Sequence, residues 1–149
     1  MENNIKYTYE ENKEYMKDIR IFFESLDLTQ LTKEDLSKID MLKEEWTEYY
    51  FKYLSPSSSL ASEEMITKTV DLFTLSNSIE DKNNKNELLD FTYSYIALLK
   101  DEYIFSFSEK EGIDNKLNKV GLLTIDKYFE EKKEKENSNN QKKIGEILV

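Results

Sequence analysis

TKEDLSKIDMLKEEWTEYYFKYL, Thr32 to Leu54, holds the only tryptophan of the chain and stops just before its only proline. Leu36, Ile39, Leu42, Trp46, Tyr49, Tyr50 and Tyr53 recur three or four residues apart, with Met41 beside them, and side chains at those offsets share one face of an α-helix. Lys38, Lys43, Glu44, Glu45, Glu48 and Lys52 fall opposite and suit water. Thr32 followed three residues later by Asp35 has the form of a capping box, in which the hydroxyl accepts from an orphan amide of the first turn. Glu34 and Asp35 put negative charge where the helix dipole favours it. Ser55-Pro56 ends the run, because proline offers no donor and restricts the residue before it. A continuous helix of about six turns is expected. Its aromatics would suit a platform for a base or a peptide, but the stripe runs on into Ile39 and Leu42, which predicts core.

The flanking segments repeat the pattern. From about Tyr9 to Ser25, the positions Tyr15, Ile19, Phe22, Phe23 and Leu26 keep helical spacing, and residues 27–30 link this helix tightly to the central one as an antiparallel neighbour. Ser55 to Ser59 reads as a linker whose serines are candidate N-caps. Within Leu60 to Ile79, Met65, Ile66, Thr69, Val70, Leu72 and Phe73 form a third stripe. After the polar break Asp81 to Asn86, Asn86 is expected to cap a fourth helix. Its apolar positions Leu88, Phe91, Thr92, Tyr95, Ile96, Leu98, Leu99 and Tyr103 cover so wide an arc that burial on more than one side is predicted. Tyr103 to Ser108 alternates and reads as helix end or strand. Gly112 is expected to close that region and Asp114 to cap a fifth helix, Asn115 to about Lys133, with Gly121 tolerated inside it. Residues 130–143 contain no apolar residue and read as an exposed helical extension or a flexible tail. Ile144, Ile147, Leu148 and Val149 are apolar again and form a candidate docking tail. The expectation is an all-α, single-domain bundle of about five helices over residues 1–129, with a charged extension over residues 130–149.

Composition narrows the chemistry. The 149 residues amount to one domain, large enough to bury about two thirds of its unfolded surface. With 13% aromatic residues a core can form, and three glycines with one proline leave few turn makers for a many-stranded sheet. No cysteine and no histidine are present, so thiolate chemistry, disulfides, Ser-His-Asp triads and the commonest metal ligands are excluded. Glycine occurs only at 112, 121 and 145, so neither phosphate-binding fingerprint can be written. Asp81 to Asn84 starts like a calcium loop but lacks its glycine and its final glutamate. Asp40, Glu44 and Glu48, four residues apart, could face a hard cation, but lysines interleave and a solvated acidic face is expected instead. No cofactor is implied.

The net charge of −10 is uneven: residues 1–112 carry 24 acids against 13 bases, residues 113–149 carry 7 against 8. Such a field repels phosphate backbones, and with Arg20 the only arginine, direct nucleic-acid binding is not expected. No apolar run reaches membrane-spanning length and residues 1–15 lack a signal-peptide pattern, so a cytoplasmic location is expected. Three functional classes remain. The first is a non-enzymatic protein-binding protein that covers a basic surface of a partner such as a nucleic-acid enzyme. Small immunity and anti-defence antagonists share this size, charge and lack of motifs. Candidate contacts are Asp40, Glu44, Glu45, Glu48, Glu63 and Glu64. The second is a self-associating structural component acting through residues 144–149, and the third an enzyme using only carboxylates, tyrosine or lysine.

Overall fold

The computed structural model describes the backbone of residues 9–54, 62–102 and 104–148, and the side chains of residues 14–54, 63–102 and 104–136. Six α-helices and one π-helical turn appear among them, and no strand: α1 Tyr9–Glu24, α2 Lys33–Tyr49, the π turn Tyr50–Leu54, α3 Ser62–Asn77, α4 Lys82–Asp101, α5 Phe107–Lys119 and α6 Ile125–Leu148. The all-α bundle is thus the fold, with one helix more than the spacing predicted. The linker Ser55 to Ser59, with its proline stop and candidate caps, lies outside the described residues, as does Tyr103.

The central stretch folds as read at its start and differs at its end. Thr32 Oγ1 accepts from the Asp35 amide at 3.1 Å, and Ile39, Leu42, Trp46 and Tyr49 are buried. The Asp35 carboxylate does not turn back to complete a capping box. It accepts from the amides of Glu80 and Asp81, both at 2.9 Å, and so closes the α3–α4 connection 45 residues away. From Tyr50 the helix widens into a π turn. A wider turn lets the adjacent pairs Tyr49–Tyr50 and Tyr53–Leu54 all face inward, while Phe51 points to water. Trp46 is fully buried, with its ring edge-on to Tyr49, Phe91 and Tyr95 at centroid distances of 5.0–5.7 Å. The aromatic stripe is core.

α3 and α4 are buried most completely. Thr69, Ser76 and Thr92 lie in the core because each hydroxyl donates to the carbonyl four residues back at 2.7 Å, which lets a polar side chain occupy an apolar stripe. α4 is buried on two sides as expected. Tyr95 packs against Trp46 and Tyr15, while Tyr93, which the periodicity had not marked, stacks on Tyr128 of α6 at 3.9 Å.

Five local expectations are corrected. The cap of α4 is Asp81, accepting from the Asn84 amide at 3.0 Å, so Asn86 lies inside the helix. Ile104 and Phe105 form a bend, and Ser106 with Glu109 makes a reciprocal capping box for α5, so neither strand nor prolonged helix 4 exists there. Gly112 does not end a helix; it sits inside α5, facing Ile66 of α3 so closely that an added Cβ would lie 2.8 Å from Ile66 Cδ1. The expected fifth helix is broken in two at Gly121, whose φ of +80° is the left-handed stop that glycine tolerates. Asp114, expected as an N-cap of α5, is inside that helix and accepts from the Ile125 amide at 3.0 Å, at the start of α6.

The extension over residues 130–143 is helical, α6 running to Leu148, and residues 130–136 are exposed. Lys110 holds its start: buried at 8% exposure, it donates to Asp126 at 2.5 Å and lies 3.6 Å from Asp114. The hydrogen bond to Asp126 is the main reason its ammonium is held above the usual lysine range. Asp90 of α4 accepts from Tyr128 Oη and Lys132 Nζ, both at 2.7 Å. Burial raises the Asp90 carboxyl, but these two donors outweigh it and hold the group below its ordinary value.

Candidate functional site

The predicted acidic face resolves into an outer ridge and an inner seam. Asp40, Glu44 and Glu48 are exposed on the outward side of α2, about 12 Å from first to last at the rise of a helix. Met41 lies on the same side and is 51% exposed. Helical spacing produces this directly, because the opposite side is pulled inward by Ile39, Leu42 and Trp46. Asp40, Glu44, Glu45 and Glu48 make no ion pair or hydrogen bond among the described residues. Lys52 lies near enough to Glu48 to feel its charge, but no described cation is paired with the ridge.

Glu45 is half-buried and turns toward α3. With Glu48, Tyr49, Lys52, Tyr53 and Lys68 it encloses a crevice of about 10 Å³, the room of a single water. Lys52, one of its lining residues, forms an ion pair with Glu64. That hydrogen bond is the chief reason the Lys52 ammonium is held above its ordinary range. Tyr53 is buried with its hydroxyl unpartnered among the described residues, and burial pushes its phenol up. Tyr49 differs: its hydroxyl meets Thr69 Oγ1 at 2.7 Å.

The structure thus groups Asp40, Glu44 and Glu48, places Glu45 on their flank, and commits Glu64 to a lysine. Glu63 is exposed in the first turn of α3 and makes no ion pair among the described residues. Ile144, Ile147 and Leu148 lie on the helical backbone of α6, but their side chains, and all of Val149, fall outside the described residues. Among the described residues no three acids gather in a way that could hold a metal ion, and Asp40, Glu44 and Glu48 do not converge. No described helix is long and apolar enough to cross a membrane.

The periodicity missed a second acidic surface, a groove between α1 and α4 that involves Asp27, Asn84, Glu87 and Asp90. Asn84, Glu87 and Asp90 share one face of α4, but Asp27 lies in the link after α1, and only the packing brings the two segments together. Compared with models of known protein families, with characterised proteins and with solved structures, the chain matches none.

Proposed function

We propose that this chain is a non-enzymatic, acidic protein-binding protein that covers a basic surface of its partner. Its sharpest form is a small antagonist that occupies the basic groove of a nucleic-acid-binding enzyme. The observation that carries the reading is the outward ridge of α2, where Asp40, Glu44 and Glu48 stay unpaired beside an exposed Met41. Unpaired carboxylates steer a basic partner and raise its rate of encounter. An exposed methionine among them supplies adaptable apolar area that a purely electrostatic contact would lack. Catalysis finds less support: the tyrosines whose phenols are raised most strongly, Tyr49, Tyr95 and Tyr128, are raised first of all by burial, and the first two are core residues.

The test is capture of partners from the native cell lysate at low and high salt, with the triple variant Asp40→Lys, Glu44→Lys, Glu48→Lys run alongside. All three positions are exposed, so the variant should keep the helical signal of the parent. A basic nucleic-acid enzyme held by the parent at low salt, released at high salt and ignored by the variant is the expected result. Binding indifferent to both salt and the variant would refute the acidic-ridge mechanism. Self-association alone would transfer the reading to an assembly component.

A further inference from the structure

The groove that α1 and the link after it form with the first half of α4 has two parts that share Glu87. One is an open cleft of about 410 Å³ beside Asp27 and Asn84; the other, about 470 Å³, lies over Phe22, Phe91 and Asp90. Neither part is lined by a lysine or an arginine. Asn84 is the informative residue. It is 6% exposed, and its Nδ2 donates to the Asp27 carbonyl at 3.2 Å and to the Asp81 carboxylate at 3.0 Å. Both partners are acceptors, so the nitrogen must face them and Oδ1 must turn away. Oδ1 has no hydrogen-bond partner among the described residues, and Asn84 lines the cleft. The residue is thus nearly buried while this one acceptor stays open to whatever enters the cleft.

Its neighbours ask for the same kind of ligand. Thr29 donates to Asp27 Oδ1 through its amide at 3.1 Å and its hydroxyl at 2.7 Å, which keeps that carboxylate ionised. Glu87 is exposed and makes no ion pair or hydrogen bond among the described residues. An anion would be poorly served here. The amides of Glu80 and Asp81 already donate to Asp35, and that of Asn84 to Asp81. Further along, Asp90 is satisfied by Tyr128 and Lys132, and the floor becomes apolar: Phe22 and Phe91 stack at 4.0 Å with planes 6° apart. The groove therefore offers acceptors at one end and aromatic surface at the other. A guanidinium has the forked donors for a carboxylate and an amide oxygen together, and its flat face also suits an aromatic ring; an ammonium has only the charge.

We propose that this groove binds an extended segment of a partner protein, seating an arginine against Asn84, Asp27 and Glu87 and an adjacent apolar residue over Phe22 and Phe91. The inference rests on the reading of a basic partner and supplies the anchor that the α2 ridge lacks. The probe is the capped dipeptide acetyl-Arg-Phe-amide, titrated into the full ¹⁵N-labelled chain and read by NMR, beside its citrulline counterpart, which keeps the shape and loses the charge. Shifts centred on the Asn84 side-chain amide and the Glu87 backbone, absent with citrulline and weakened about tenfold by Glu87→Lys, are expected. Equal response to citrulline, shifts centred on the α2 ridge, or no response at millimolar probe would overturn it. Partner capture separates the two claims. Loss with the α2 triple variant but full retention with Glu87→Lys would sink the groove and leave the general reading standing. Retention with both variants at every salt concentration would sink that reading as well.

Discussion

At the residue scale, the informative side chains are those with two jobs. Thr32 and Asp35 were legible as a helix start, and that half of the reading is correct. The carboxylate's other task, holding the amides of Glu80 and Asp81, is invisible in the chain because its partners lie 45 and 46 residues on. Those two amides are the main reason the Asp35 carboxyl sits below its ordinary value of 3.8. A depressed folded pKa means the unfolded chain binds the proton more tightly. The stability Asp35 contributes is therefore complete above the unfolded value and lost as pH falls through the folded one. Asp35→Asn should lower the melting temperature at neutral pH, since an amide nitrogen would face a backbone N–H. The loss should shrink between about pH 5 and pH 2, where the parent carboxylate itself takes a proton. Thermal melts of both proteins across that range decide it; a constant difference would mean Asp35 acts by shape and not by charge. Trp46 is the opposite case, a residue whose role its neighbours announced. Fully buried among Tyr49, Phe91 and Tyr95, Trp46→Ala should cost about 3–5 kcal/mol in chemical denaturation. Unchanged stability would contradict its place in the core.

At the scale of elements, the two glycines exchanged the parts the chain suggested for them. A glycine can serve a left-handed turn or a close approach, and nothing in its immediate neighbours says which. Gly121 serves the turn. Although a Cβ there would meet nothing within 4 Å, its φ of +80° makes Gly121→Ala costly by about 1–2 kcal/mol. Gly112 serves the approach of α5 to α3. There, Gly112→Ala gains about 1 kcal/mol of helix propensity but drives into Ile66 Cδ1, the movable end of a side chain. The two effects nearly cancel, so the alanine variant should melt within a degree or two of the parent, whereas Gly112→Val should clearly destabilise. Side-by-side melts of the three variants test the assignment. The corner that Gly121 opens is held by Lys110 between Asp114 and Asp126. Lys110→Ala should cost about 1–2 kcal/mol, modest because Asp126 stands in water and its half of the pair is screened. Urea unfolding measures it; a loss of 4 kcal/mol or more would mean that the exposed half of the pair is not screened.

At the scale of the molecule, charge acts on stability and on binding with opposite signs. Residues 1–112 carry 24 acids against 13 bases, and the ion pairs Lys17–Glu14, Lys38–Glu34 and Lys100–Asp101 each have their carboxylate exposed to water, so each contributes little. Screening the net repulsion should therefore outweigh screening these pairs, and raising salt from low to about 0.5 M should raise the melting temperature. The same salt should weaken capture of a basic partner. Two opposed slopes, read by calorimetry and by binding, would separate a screened interface from a protein that simply unfolds.

The sequence by itself determined the all-α class, the first four helices, the facing of α2, the aromatic core around Trp46 and the sign of the surface, because each follows from spacing of three or four residues or from a sum over the chain. What only the tertiary structure decided are the second partners of Asp35 and Asp114, the roles of Gly112 and Gly121, and the groove beside Asn84. Each depends on which distant backbone arrives at a given side chain. Local spacing sets what a helix shows, and only the packing sets what it meets.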